Sequence, residues 1–324
     1  MEQTIVLSSP RLKVELAQPG SVYRGARFDW SGFITQVTLD GKHTFCVPES
    51  YKAGEGTGGI GLCNEFGIEA AVGYDDARPG ETFPKLGIGL LRRADEGPYG
   101  FFRPYEIVQQ FPMSVEATAD SAQVVVQPVE CRGYAARLSK TYQVSGNSLQ
   151  VAYTLENTGA KPIATHEYAH NFVGIDQQPV GPAYRLHFPY PVKSEKIDVK
   201  AMRGNAPPHL KKLPGFVQDF LIARYMRQAQ GTIRFEGNDI TFKPADKQSF
   251  YCRPQGFSRR ETPQWTLSHV PSGVTVSETD DFAPWRVAVW GGNHVVSAEI
   301  FVDIRLQPGQ TQRWARRYEF NAQP

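Results

Sequence analysis

Cysteine is scarce in this chain, at 4 of 324 residues, and no two form a CxxC pair. Cys46, Cys63, Cys131 and Cys252 therefore read as reduced core residues, which argues against disulfides or metal binding. Long apolar runs are missing as well. The stretch before Ala26 holds none of signal-peptide length, and no segment approaches the roughly 18 apolar residues of a membrane span. A cytoplasmic protein without membrane contact is the expectation. Charge of one sign is not in excess: the formal net charge is +2. No nucleic-acid partner is expected, since such binders usually carry a basic stripe. The nearest basic run, Arg313, Arg316 and Arg317, falls in the last predicted strand and reads as its solvated face. Helical periodicity is nearly absent. Only Gly215–Gln230 hints at a helix, with Phe216, Val217, Phe220, Leu221 and Tyr225 on one face.

What the chain has is strands. Hydrophobic residues make up 40% and charged residues 21%, ample for a packed core. The clearest case is residues 134–159, YAARLSKTYQVSGNSLQVAYTLENTG. Alternation through Leu138, Lys140, Tyr142 and Val144 meets the turn formers Ser145-Gly146-Asn147, then resumes at Leu149, Val151, Tyr153 and Leu155. Period two places alternate side chains on opposite faces, so this predicts an antiparallel hairpin with one face buried. Short strands are also predicted over residues 4–7, 12–16, 33–39, 123–129, 232–235, 240–243, 266–269, 286–290, 295–304 and 313–318. The 30 glycines and 24 prolines supply the turns. The polar stretch 192–213, with Lys193, Lys196, Lys200, Lys211 and Lys212, reads as loops over one rim. No repeat or linker divides the chain. Many strands without intervening helices mean sheet on sheet, so we expect an all-β fold, a large antiparallel β-sandwich occupying residues 1–324 as one domain.

Three stretches carry chemistry. The chain has 7 histidines, and two of them fall in PIATHEYAHNF, residues 162–172. Pro162 and the β-branched Ile163 and Thr165 favour extended chain. On a strand, His166, Tyr168, His170 and Phe172 share a face, and positions four apart stand about 13 Å from each other. That is too far for one metal ion to bind both histidines, and no third ligand is spaced to help, so no metal is expected. Imidazole titrates near neutrality and suits an acid–base role. Spacing alone favours two hydrogen-bonded strand residues.

Glu299 stands in the apolar run 295–302. A carboxylate there either points to solvent or is buried with a raised pKa useful to a base. Parity groups it with Val295, Phe301 and Asp303, opposite the better core face of Val296, Ala298, Ile300 and Val302. Glu299 is thus expected on an open sheet surface where a polar ligand would be met. The third stretch, GTGGIGLCNEFGI at residues 56–68 followed by FPKLGIGLLRR at 83–93, lacks the pattern of a phosphate loop. Its glycines allow close backbone approach, and Asn64, Glu65, Lys85, Arg92 and Arg93 are candidate polar contacts.

Taken in order, these stretches resemble the galactose mutarotase-like superfamily, which holds aldose 1-epimerases and hexose-6-phosphate epimerases. GGIGLCN, then PKLG and Arg92, looks like the first substrate loop. LENTGAKPI followed by T-H-E-Y is similar to the segment bearing the catalytic acid. Glu299, with its strand and the LQPGQT turn, is similar to the segment bearing the base. The likeness spans nearly the whole chain. It implies a supersandwich, no cofactor, and a small-molecule sugar as ligand. By that match His166 is the general acid and Glu299 the general base of anomer interconversion through ring opening. Asn64, Lys85, Arg92, Tyr168, His170 and Trp290 are then the substrate contacts, with Trp290 and Trp285 stacking on a sugar face.

Two departures accompany the likeness. Lys85-Leu86 stands where the loop usually offers a histidine before glycine, and Ile300 where a proline often follows the base. Lys85 and Arg92 would tolerate an anionic sugar. A non-catalytic carbohydrate-binding protein on the same fold is the alternative. A glycosidase would require a second carboxylate beside Glu299, for which Asp303 and Glu167 are the candidates.

Overall fold

The computed structural model describes residues 4–195, 199, 210, 212–243 and 249–323. Two large antiparallel sheets carry the chain. One has nine strands, running Thr4–Ser8, Leu12–Ala17, Ile34–Leu39, Leu62–Phe66, Ile163–Asn171, Val296–Leu306, Arg286–Gly291 and Phe250–Cys252, with His43–Thr44 paired to the side. The other has ten, with the predicted hairpin Ala136–Ser145 and Ser148–Asn157 beside the long Thr311–Ala322 strand. A small sheet of Thr82–Lys85, Gly89–Arg92 and Ile107–Gln110 is separate from both.

Alternation sets the packing. In the hairpin, Leu138, Tyr142, Val144, Leu149, Val151 and Leu155 are buried, while Arg137, Thr141 and Gln143 are exposed. Each buried apolar side chain of this size contributes about 1.5–3 kcal/mol of transfer free energy. The turn is made by Gly146 at φ +57°, in the left-handed region that L side chains avoid. One continuous apolar cluster joins the inner faces of the two sheets, from Leu7 and Val14 on one to Leu267, Trp314 and Phe320 on the other.

Charges are also buried between the sheets, and here one sequence reading is corrected. Arg316 is fully buried, not part of a solvated face: in Thr311–Ala322, parity groups it with Trp314, Tyr318 and Phe320, while Arg313 and Arg317 are exposed. Its guanidinium meets Glu167 at 2.8 Å, Glu278 at 3.0 Å and Asp280 at 3.5 Å. Burial, reinforced by Glu278, holds the Asp280 carboxyl well above the usual carboxylate range. The four cysteines are buried and unpaired.

Gly215–Gln230 is an α-helix, as its spacing predicts. Its face differs from the expected one. Ile222 and Met226 are buried against Tyr251, whereas Phe216, Phe220 and Tyr225 are exposed. Of the lysine-rich stretch, Lys196, Lys200 and Lys211 lie outside the described residues. Lys193 pairs in a two-residue strand with Gln255, and Lys212 is exposed.

Candidate active site

The middle of the nine-stranded sheet positions the site. In Val296–Leu306, Val296, Ala298, Ile300, Val302 and Ile304 face the sandwich core. The opposite parity puts Ser297, Glu299, Phe301 and Asp303 on the outer face. The neighbouring Ile163–Asn171 strand is antiparallel to it, with His166 opposite Asp303 and Tyr168 opposite Phe301. The same register carries His170 to Glu299, where Nε2 lies 3.3 Å from Oε1. Leu62–Phe66 adds Glu65 across from Tyr168, and Arg286–Gly291 adds Arg286 and Trp290.

The partnership expected between His166 and Glu299 is therefore not the one formed. Antiparallel register fixes which residues face each other, and Glu299 sits four positions before the partner of His166. His166 instead has Nε2 at 3.3 Å from Asp303 Oδ1, without hydrogen-bond alignment, and its ring stacks on Trp285 at 3.6 Å. It is half-buried, and burial pushes its pKa below the ordinary value against the pull of Asp303.

His170 and Glu299 are each 4% exposed. Burial pushes the Glu299 carboxyl up to about 8, against the pull of Arg27 and the Ser297 hydroxyl. It pushes His170 well below the usual imidazole range, with Arg27 acting in the same direction. Both groups thus favour their neutral forms, and a single proton at this pair rests on the carboxyl side. Phe172, two residues on and on the same face, stacks on the His170 ring at 3.9 Å. Phe28 meets it edge-on at 5.8 Å and Trp290 at 5.4 Å. Ser297 Oγ touches both members, 2.9 Å from His170 Nδ1 and 3.1 Å from Glu299 Oε1.

A second polar cluster adjoins the pair. Tyr168 donates its hydroxyl to Glu65 at 2.6 Å and stacks on Phe301 at 4.4 Å. Arg27 donates to the same Glu65 oxygen at 2.9 Å, and its guanidinium lies over Phe28 and Phe101.

The remaining expected contacts are distributed differently. Trp290 is partly exposed beside His170. Asn64 has the parity opposite to Glu65 and points between the sheets, donating to Glu167 at 2.6 Å and accepting from Lys140 at 2.8 Å. It cannot touch a ligand on the outer face. Lys85 is 1% exposed, bonded to the Phe66 carbonyl and, at 2.9 Å, to the Tyr99 hydroxyl. Its ammonium stands 3.8 Å from Glu65 Oε1, and burial lowers its pKa to about 8. Arg92 lies on the small separate sheet, partly exposed, paired with Glu106 at 2.7 Å and donating to the Gly80 carbonyl at 2.7 Å. Neither cation is placed to receive an anionic group. Glu167, a candidate second carboxylate for glycoside cleavage, faces the core and belongs to Arg316.

Sequence reasoning passed over Arg27 and Ser297. The latter had a signal, since it shares parity with Glu299 two positions away. Arg27 comes from an irregular loop with no periodicity to reveal its direction. Among the described residues, no three His, Cys, Asp or Glu side chains converge to hold a metal ion. No described helix is long and apolar enough to cross a membrane.

No protein-family model matches the chain, and no curated protein matches it in sequence. Solved structures do match. A putative aldose 1-epimerase from Escherichia coli K12 aligns over 99% of this chain and 99% of its own, with a TM-score of 0.58 and 13% identity. A galactose mutarotase-like protein from Lactobacillus casei aligns over 98% and 100%, with a TM-score of 0.57 and 14% identity. An aldose epimerase homologue from C. elegans aligns over 98% of each chain, with a TM-score of 0.56 and 12% identity. The chain has the galactose mutarotase-like fold. At these identities the likeness is one of fold.

Proposed function

We propose that the protein is a cofactor-independent mutarotase of the aldose 1-epimerase type, interconverting sugar anomers at Glu299 and His170. The observation that carries this is the buried carboxyl–imidazole pair, 3.3 Å apart, on the outer face of the nine-stranded sheet.

A cyclic aldose is a hemiacetal whose hydroxyl oxygen and ring oxygen are bonded to the same carbon. A base and an acid that stand side by side can reach both. Glu299 as carboxylate takes the anomeric hydroxyl proton while Nε2–H of His170 protonates the ring oxygen. The bond from the anomeric carbon to the ring oxygen breaks and a carbonyl forms. Rotation about the first carbon–carbon bond presents the other carbonyl face. Closure returns both protons to their donors, so nothing is consumed. The pair carries one proton throughout, as a neutral carboxyl beside neutral imidazole or as an ion pair. Burial shifts the balance toward the neutral form by disfavouring separated charge.

In this reading the acid is His170, and His166 stands outside the reacting atoms. Trp290 supplies an apolar face for the ring. The cations that act on Glu299 are engaged: Arg27 with Glu65, and Arg286 with Glu69. A neutral sugar suits that balance better than a phosphorylated or acidic one.

Exchange NMR between α and β anomers tests the reading, with galactose, glucose and their 6-phosphates each measured with and without protein. Exchange faster than buffer for a neutral sugar, abolished in Glu299→Gln, is expected. No acceleration with any sugar refutes catalysis, and calorimetric binding without acceleration would point to a carbohydrate-binding protein instead.

A further inference from the structure

Ser297 is fully buried in the Val296–Leu306 strand, opposite Trp290. Its Oγ contacts three groups. It accepts from the Asn171 backbone N–H at 3.1 Å, and it meets His170 Nδ1 at 2.9 Å and Glu299 Oε1 at 3.1 Å.

A hydroxyl carries one proton and two acceptor lone pairs. Asn171 occupies one lone pair, so two arrangements remain. In the first, the hydroxyl proton points to Glu299, and Nδ1 carries a hydrogen that it donates to the second lone pair. Nε2 is then the bare nitrogen, facing Glu299 Oε1 at 3.3 Å and free to take a proton from it. In the second, the hydroxyl donates to Nδ1 and the hydrogen is fixed on Nε2. That leaves one lone pair of a buried oxygen unused, and it removes the hydroxyl's bond to the carboxyl. With the pair's proton on Glu299, the first arrangement uses all three Ser297 Oγ contacts and gives Nε2 a proton to accept. The second keeps Nε2–H facing the carboxyl but loses the hydroxyl's contact with it.

We infer that Ser297 is a positioning residue that holds His170 in the Nδ1–H tautomer, so that Nε2 is the nitrogen that exchanges the proton. Its consequence for turnover rests on the mutarotase reading; the tautomer itself does not. With the hydrogen fixed on Nε2, the ring can no longer accept a proton there from Glu299 or from the sugar's ring hydroxyl. Releasing the Nε2 hydrogen to the ring oxygen would then leave a buried imidazolate, since Nδ1 carries no hydrogen.

The test is long-range proton–nitrogen NMR of the imidazoles, with His170 assigned through Glu299-intact His170→Gln, alongside anomer exchange across pH. In the wild type the Nδ1–H tautomer is expected. Ser297→Ala should shift His170 toward Nε2–H and lower kcat by on the order of a hundredfold or more, with KM changed by less than about twofold, as a wrong-tautomer defect does. It should also displace the pH at which exchange falls. Ser297→Thr, which keeps the hydroxyl, should restore tautomer and rate together. An Nε2–H wild type, or Ser297→Ala with an unchanged tautomer, overturns the inference. If the wild type accelerates no anomer exchange, the mutarotase reading fails while the tautomer measurement still decides this one.

Discussion

Replacing Glu299 by glutamine changes how stability depends on pH, and the change can be worked out from burial. Glu299 in the unfolded chain titrates near 4.5, and burial raises it to about 8 in the folded protein. Between those values the unfolded chain gives up a proton that the folded protein keeps. The group's favourable contribution is therefore fully present below pH 4.5 and is lost as pH rises through about 8. The slope is about 1.4 kcal/mol per pH unit at most, so moving from pH 5 to 7.5 should remove about 3 kcal/mol. His170 acts in the opposite direction. Its depressed pKa gives a contribution present above the unfolded imidazole value and lost as pH falls.

Glutamine has nothing to titrate, can still accept from Ser297 and can offer an N–H toward Nε2. Subtracting the two proteins' unfolding free energies cancels most of the His170 contribution. Urea denaturation of both at pH 5, 6, 7 and 7.5 is the assay. Relative to wild type, Glu299→Gln should gain stability steadily, by about 3 kcal/mol over that span. Parallel curves would show that Glu299 is ionised in the folded protein, and the shared-proton mechanism would fall.

The pH profile of anomer exchange should be flat around neutrality and fall above about 8, where Glu299 loses the shared proton; a rate still rising at pH 9 contradicts the assignment. His170→Gln should lower exchange by about a hundredfold or more, as loss of a general acid does, whereas His166→Gln should leave it within a few-fold; the reverse order restores His166 as the acid. Arg316→Met leaves Glu167 and Glu278 without their cation and should destabilise by about 3–5 kcal/mol or more, read by chemical denaturation. Arg92→Ala removes an exposed pair with Glu106 and should change stability by less than about 1 kcal/mol, with sugar affinity unaffected in calorimetry.

Period-two alternation made most of the sheet framework legible. The Ala136–Ser145 and Ser148–Asn157 hairpin and the outward direction of Glu299 follow from which positions are apolar. The same reasoning placed Tyr168 and His170 on one face with His166. It failed where an element's neighbours decide. Arg316 looked like a solvated charge because its carboxylate partners come from Ile163–Asn171 and Val274–Asp280, remote in sequence. Phe216 and Phe220 read as part of one apolar helix face, yet the helix packs through Ile222 and Met226. Lys85 looked like an anion contact, but Tyr99, the Phe66 carbonyl and Glu65 enclose it.

Local composition and backbone geometry revealed many of the strands and their apolar sides, though not Leu62–Phe66, Tyr184–His187 or Val274–Asp280. Only the tertiary structure decided which histidine meets Glu299. Strand register is a property of two strands, set by hydrogen bonds between them. A shift of four residues leaves every side chain on its own face while exchanging His166 for His170 at the carboxylate.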